Sequence, residues 1–293
     1  MTSNAGKSYQ LYFAGLARDC EENLEENIKN ILKIGRSEEV EDYNIVVAEN
    51  DSKDNTKDIL SEIKNNNKNF YVLSFDGIDK KYPVREERIS HLRECLFRKI
   101  RRISGANGSE TGRLYIPIDL DSKIAQSIEK NQFFNECERI INGDADAIFP
   151  VSRPYYYDIY ALRAEDWVEN NYWKNVVESK TLFGSAISKV RYKYLKQKHI
   201  DELIPEGRIP VRSAFGGVGI YNLEKLDGAS YKLNGEYPQN ACEHVLFNES
   251  IKSKEISTDF VVKAPTEHIQ YKIPVVSKIK SYLSSGHSYC KSS

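Results

Sequence analysis

Close cysteine pairs are missing from this 293-residue chain: its five cysteines stand at 20, 95, 137, 242 and 290, with no CxxC. That spacing argues against a zinc site, and the odd number against a disulfide framework, so reduced thiols in a cytosolic protein are expected. Long apolar runs are also missing. None approaches the roughly 20 residues of a membrane span. The start, Met1 to Lys7, has no signal-peptide apolar core. There is no excess of one charge: Lys+Arg number 42, Asp+Glu 43, and the formal net charge is −1. A nucleic-acid binder would show a basic surplus. No phosphate-binding G-x-x-x-x-G-K-[ST] run occurs, and the glycines of Ser213 to Gly219 lack G-x-G-x-x-G spacing. There is no 20–50-residue repeat and no low-complexity linker.

What is present is a soluble globular composition, 40% apolar and 29% charged. The length suits one large α/β domain. Strand-like runs alternate with helical spacing: Tyr9–Ala14, a helix over 20–34, Asn44–Ala48, a helix over 58–64, Phe70–Ser74, a helix over 85–103, then a strand over 113–118. Short connections between such units predict a mostly parallel, doubly wound sheet flanked by helices. A helix over 124–142, a strand over 146–152, a strand with a glycine bend over 210–221, a helix over 240–251 and a strand over 259–262 follow. The second half is less regular. The expected organisation is one domain over 1–293, with a nucleotide-binding half at 9–123, an acceptor half at 124–274 and a tail at 275–293.

The stretch Arg113-Leu-Tyr-Ile-Pro-Ile-Asp-Leu-Asp121 carries the most chemistry. Asp119 and Asp121 follow directly on a buried strand, at the end where open α/β sheets bind ligands. Alternate residues of an extended segment face the same way. Two adjacent carboxylates repel unless a cation lies between them, and Mg²⁺ or Mn²⁺ commonly shares such oxygens with phosphates. Asp144-Ala-Asp146 has the same pattern but precedes its strand, so it is read as structural. The turn Glu49 to Thr56 combines helix-capping residues with acids at a strand end, where Glu49, Asn50 and Asp51 can hold a nucleoside. Arg88 and Arg93 offer forked contacts to a diphosphate. Glu243 is a candidate general base. His244 and His268 are candidates to complete a metal site. Lys189 to Lys198 interleaves basic and aromatic residues, which suits a solvated helix face or, with a lipid-linked acceptor, a membrane surface.

Taken in order, Ala14-Gly-Leu-Ala-Arg18, Glu49-Asn-Asp-Ser52, Asp119-Leu-Asp121, Phe215-Gly-Gly217 and Cys242-Glu-His244 resemble the nucleotide-diphospho-sugar transferases of the GT-A fold, including family 2-like enzymes. The segments Tyr157 to Arg163 and Phe215 to Gly217 are similar to capsule-associated α-1,3-mannosyltransferases. The resemblance covers roughly 9–270. It implies a Rossmann-like fold and transfer of a sugar from a UDP- or GDP-sugar to a glycan or lipid-linked glycan, in surface polysaccharide or glycan biosynthesis. It also implies Mn²⁺ or Mg²⁺ as cofactor. Ala14, Leu16, Arg18, Glu49, Asn50 and Asp51 would line the nucleoside site. Asp119, Leu120 and Asp121 would match the D-x-D segment, and Phe215, Gly216 and Gly217 the acceptor loop. Glu243 and Asp158 would be catalytic. Glu49-Asn50 stands where family members carry Asp-Asp, and His244 where they carry Asp, which leaves base preference and stereochemistry open. The alternatives are a sugar-1-phosphate nucleotidyltransferase, whose Gly-rich loop Gly15 to Arg18 is too short to provide, and a non-catalytic nucleotide- or glycan-binding module.

Overall fold

The computed structural model describes residues 8–106, 112–154, 156–158, 160–164, 207–232 and 242–265. The Trp- and Tyr-rich segment around Trp167 and Trp173, the basic run 189–198, His268 and the tail lie outside the described residues.

The chain is α/β. Strands β1 (Tyr9–Ala17), β2 (Val40–Asn50), β3 (Phe70–Phe75) and β4 (Gly112–Asp119) come first, with helices α1 (Glu21–Gly35), α2 (Thr56–Asn66), α3 (Ile78–Lys81) and α4 (Arg85–Ala106) between them. Then come α5 (Lys130–Asn142), β5 (Ala147–Arg153), β6 (Arg208–Pro210), β7 (Ile220–Asn222), α6 (Glu243–Glu249) and β8 (Lys254–Lys263). The sheet order is β3-β2-β1-β4-β7-β5-β8-β6. β1 to β4 are parallel to one another, and β5 and β8 run the same way. Only β7 and β6 are reversed. The expected mostly parallel sheet is therefore present, with one reversed strand wedged between β4 and β5.

Period-two alternation builds both layers. Leu11 and Phe13 of β1, Ile45 and Val47 of β2, and Leu114, Ile116 and Ile118 of β4 face a core shared with Leu24, Ile28 and Ile31 of α1 and Phe133 and Ile140 of α5. Tyr12, Ala14, Val46, Ala48 and Tyr115 face the other side, against Leu92, Leu96, Phe97 and Ile100 of α4 and Phe247 of α6. Helix α1 has Glu21 and Glu22 in its first turn and Lys33 in its last, charges that complement its dipole. On the α4 side, Phe97, Tyr115, Tyr221, Tyr231 and Phe247 form one aromatic block, with Tyr231 stacked on Phe247 at 4.1 Å. Burying each such ring contributes about 1.5–3 kcal/mol.

Three expectations need correction. The helix expected from 124 begins at Lys130, after a single 3₁₀ turn at Ala125–Ser127. The Asn30 side-chain amide of α1 donates to the carbonyls of Ala125 and Ile128, and the Glu129 side chain caps Asn131 N–H. The strand expected over 210–221 is two short strands, because Gly216 and Gly217 adopt φ of 66° and 84° and turn the chain away. The last strand is longer than expected, Lys254–Lys263, with an irregularity opposite Pro150/Val151. Among the described residues no helix is long and apolar enough to cross a membrane. Cys20, Cys95, Cys137 and Cys242 are all free.

Candidate active site

The carboxyl ends of β2, β1 and β4 lie side by side. Ala17 is paired with Glu49 of β2, and Leu16 with Asp119 of β4. The strand order turns back on itself at this place, since β2 lies on one side of β1 and the later β4 on the other. Such a reversal opens a crevice at the strand ends. Ala14 is buried in the α4-side core, and half-buried Leu16 packs against the same core. Leu120 packs directly over Gly15, so a Cβ there would push the Leu120 side chain aside.

The turns after β1 and β2 clasp each other. Asp19 N–H donates to Ser52 Oγ (3.1 Å), and Lys53 N–H to Asp19 Oδ1 (2.7 Å). Glu21 N–H donates to Asp54 Oδ2 at 3.0 Å, while Asn55 N–H donates to Glu21 Oε2 at 2.9 Å. Asp54 takes the first N–H of both helices, Glu21 of α1 and Thr56 of α2, so the two turns are held together. Glu49 is buried; its Oε1 accepts Ser52 N–H at 2.9 Å and its Oε2 lies 3.9 Å from Lys57 Nζ. Asn50 is buried beside it. Asp51, at φ 51°, accepts the N–H groups of Gly77 and Asp79. Burial works against charge on Asp51, but those two N–H groups outweigh it and lower its pKa. Asp51 thus starts α3. Arg18 lies 3.7 Å from Asp19 and 3.9 Å from Asp79, and Arg88 donates to the Tyr82 carbonyl at 2.8 Å.

At the β4 end, four segments meet. Asp119 N–H donates to the Gly217 carbonyl at 2.8 Å, so the Phe215–Gly217 loop is seated directly on the D-x-D strand. Gly217 leaves no room for a side chain, since a Cβ would collide with Ile124 and the Tyr157 hydroxyl. Asp158 holds the loop from its other side: its Oδ2 accepts Gly216 N–H at 2.9 Å and its Oδ1 accepts Ala161 N–H at 3.3 Å. Both oxygens of Asp158, the residue the resemblance marks as catalytic, are thus engaged by backbone N–H groups, one of them from the Phe215–Gly217 loop. Burial raises its pKa against those two N–H groups, and Glu243 adds to the rise.

Arg93 is buried on the inner stripe of α4. Its Nη2 donates to Asp119 Oδ1 at 2.8 Å and its Nε to Glu243 Oε1 at 3.1 Å. The guanidinium sits 5.0 Å from the Phe215 ring centroid. Burial disfavours its charge, but Asp119 and Glu243 reverse the balance and raise its pKa. Arg93 was expected at a diphosphate; the structure commits two of its nitrogens to carboxylates. Burial pushes the Asp119 carboxyl up to about 7, with repulsion from Asp121 and Asp158 adding and Arg93 opposing. His244 is stacked on Phe215 at 3.6 Å, and its Nε2 is 3.4 Å from Glu243 Oε1. Burial and then Arg93 hold its pKa well below the usual histidine value, so the ring is neutral. A ring enclosed by Phe215 and Tyr231 and flanked by a guanidinium is a poor place for a cation ligand.

The fit to a divalent cation rests on Asp119 and Asp121. Asp121 is exposed, and its charge raises the Asp119 pKa, which records their proximity. Two carboxylates suit Mg²⁺ or Mn²⁺ that keeps waters and substrate phosphates as its other ligands. Among the described residues, no three His, Cys, Asp or Glu side chains converge on one point. Asp144-Ala-Asp146 is structural, as expected: Asp146 accepts Ser253 N–H at 3.0 Å, and Asp144 lies 3.7 Å from Arg139.

Sequence reading missed Asn27, Asn30 and Tyr157. Asn27 is fully buried, and its Nδ2 donates to the carbonyls of Leu120 (2.9 Å) and Ser122 (2.7 Å). Its Oδ1 accepts Gln126 N–H at 3.0 Å. Asn30 Nδ2 donates to Ala125 and Ile128 carbonyls at 2.8 and 3.1 Å. The available signal was a polar residue at 27 inside the apolar stripe of Leu24, Ile28 and Ile31. Tyr157 is close enough to Asp119, Asp158 and Asp121 that, after burial, their charges raise its pKa further.

No model of a known protein family matches the chain, and no curated protein sequence does either. Solved structures give likenesses at low identity. TarS 1–349 from S. aureus aligns with a TM-score of 0.48 and 13% identity, over 90% of this chain and 63% of that one. A mannosyltransferase from Pyrobaculum calidifontis, PcManGT, solved with GDP-Man and Mn²⁺, gives 0.46 and 13%, over 87% and 56%. Glucosyl-3-phosphoglycerate synthase from Mycobacterium tuberculosis, solved with UDP, gives 0.35 and 13%, over 76% and 59%. The chain thus spans less than two thirds of each of these structures.

Proposed function

We propose that this chain is a GT-A-type glycosyltransferase that moves a sugar from a nucleoside diphosphate sugar to a hydroxyl of a glycan, in surface polysaccharide or glycan biosynthesis. The observation that carries this reading is the joint at β4. The D-x-D carboxylate Asp119, the glycine loop and the candidate base Glu243 are tied together by one hydrogen bond and one buried guanidinium.

In this reading the nucleoside lies over the ends of β1 and β2, near Leu16, Arg18, Glu49 and Asn50. Because the Glu49 carboxylate already serves Ser52 and faces Lys57, the base and ribose are met mainly by backbone and Asn50. Asp119 and Asp121 would hold Mn²⁺ or Mg²⁺, whose chemistry is to neutralise charge on the departing diphosphate. Arg93 fixes the Asp119 and Glu243 carboxylates relative to each other. Glu243, oriented through its Oε1, takes the proton of the attacking acceptor hydroxyl at its other oxygen. Phe215, Gly216 and Gly217, clamped by Asp158, form the acceptor-side wall.

The test is release of free nucleotide from UDP- and GDP-sugars with Mn²⁺ and glycan acceptors, alongside calorimetry. Turnover that vanishes in Asp121→Ala supports the reading. Binding without turnover for every donor and acceptor favours a non-catalytic module, and formation of a sugar nucleotide from a nucleoside triphosphate and a sugar 1-phosphate, with release of pyrophosphate, favours a nucleotidyltransferase.

A further inference from the structure

The Asp119–Asp121 pair is half strand and half loop. Asp119 closes β4, whereas Asp121 stands on an exposed turn that β4 does not hold. Something else must fix it, because two carboxylates serve one cation only if their separation is set. The carbonyls on both sides of Asp121, those of Leu120 and Ser122, turn inward to a single group, Nδ2 of Asn27 on α1. The same side chain receives Gln126 N–H at its oxygen. The amide orientation is settled by its partners: two acceptors face the nitrogen and one donor faces the oxygen. Asn27 is fully buried, so these bonds are made out of contact with bulk water.

We infer that Asn27 is the positioning residue for Asp121, its carboxamide setting the backbone course of 120–126 that places this carboxylate beside Asp119. Asn30, one turn on, holds the next carbonyls and keeps the loop from running into α5. This inference rests on the cation reading above and deepens it. Only asparagine fits: leucine would leave two carbonyls and one N–H unpaired, and aspartate would set a carboxylate oxygen against two carbonyl oxygens. Partners that orient a ligating carboxylate typically change metal affinity about tenfold or more when lost.

The experiment is titration of the full chain with Mn²⁺ alone, by calorimetry and by the spin-resonance signal of free Mn²⁺. It is done well below the melting temperature measured for each variant by circular dichroism. Asn27→Asp is expected to bind Mn²⁺ about tenfold more weakly or worse, and Asn30→Ala about threefold more weakly, as its partners lie further along the loop. A purely structural role would lower the melting temperature and leave Mn²⁺ affinity untouched. A folded Asn27→Asp protein with wild-type affinity overturns the inference. If that variant does not fold, Asn30→Ala decides, and unchanged affinity there overturns it. Asp121→Asn separates the two ideas. If it binds Mn²⁺ as the wild type does, the cation reading falls and takes this inference with it. If it loses Mn²⁺ while the asparagine variants keep it, only the role of Asn27 falls.

Discussion

Asp119 and Glu243 share one guanidinium. Arg93 reaches Asp119 at 2.8 Å and Glu243, 150 positions further along the chain, at 3.1 Å, so α4 meets both β4 and the start of α6. Removing the bridge leaves two carboxylates facing each other in a largely dry place. Arg93→Leu is therefore expected to destabilise the fold by about 3–5 kcal/mol in urea unfolding. Adding Glu243→Gln should recover part of that loss, because one of the stranded charges is gone. Arg93→Lys keeps the charge but not the fork, and should retain stability better than activity. Full stability in Arg93→Leu would show that the triad is not coupled.

The Asp119 carboxyl gives a pH test. Its pKa is pushed up from 3.8 to about 7, so the folded protein binds this proton more tightly than the unfolded chain. The sign follows: its stabilising contribution is full below 3.8 and is lost as pH rises through about 7. In the proposed cation site, Mn²⁺ must displace that proton. Mn²⁺ affinity is expected to tighten roughly tenfold per pH unit below about 7 and to level off above it. Calorimetric titrations between pH 5.5 and 8 measure this. A flat profile would remove Asp119 from the cation site.

Much of this arrangement could be read from local pattern. The apolar run Leu114 to Ile118 followed by Asp119 announced the central strand and the place where it ends. Asp144-Ala-Asp146 was separable from it because it precedes β5 rather than following a strand. Residues that act across the fold were not legible. The Arg93–Glu243 contact spans 150 positions, and nothing within α4 marks Arg93 apart from its place on the stripe with Leu96 and Ile100. The late start of α5 was hidden too, since side chains of α1 override the helical propensity of 124–129. The reversed strand β7 is only three residues long, too short for a period to show.

The glycine loop offers a test of acceptor binding. Gly217 has φ 84° and its carbonyl holds Asp119 N–H, while Ile124 and Tyr157 close over its α-carbon. Gly217→Ala forces both a strained backbone, costing about 1–3 kcal/mol, and a shift of the neighbours. The expected result is a large rise in KM for the acceptor with a smaller change for the donor. Equal effects on both would place the loop elsewhere in the reaction. Gly228, also at positive φ but in open space, is the control: Gly228→Ala should cost stability and leave both KM values alone.

In the proposed reaction Glu243 is the residue that takes the acceptor proton. Its Oε1 is fixed by Arg93, and a glutamine can accept that same hydrogen bond. Glu243→Gln should therefore fold and bind nucleotide much as the wild type does. Its kcat should fall by about 10²–10⁴, the usual contribution of a positioned base. The fall should not be rescued by raising pH, because the amide has no proton-accepting form. A variant that keeps its turnover would mean that no base is needed on this face. The product would then be expected to retain the donor's anomeric configuration, which nuclear magnetic resonance of the glycan reads directly. Loss of turnover with an inverted product assigns the acceptor proton to Glu243.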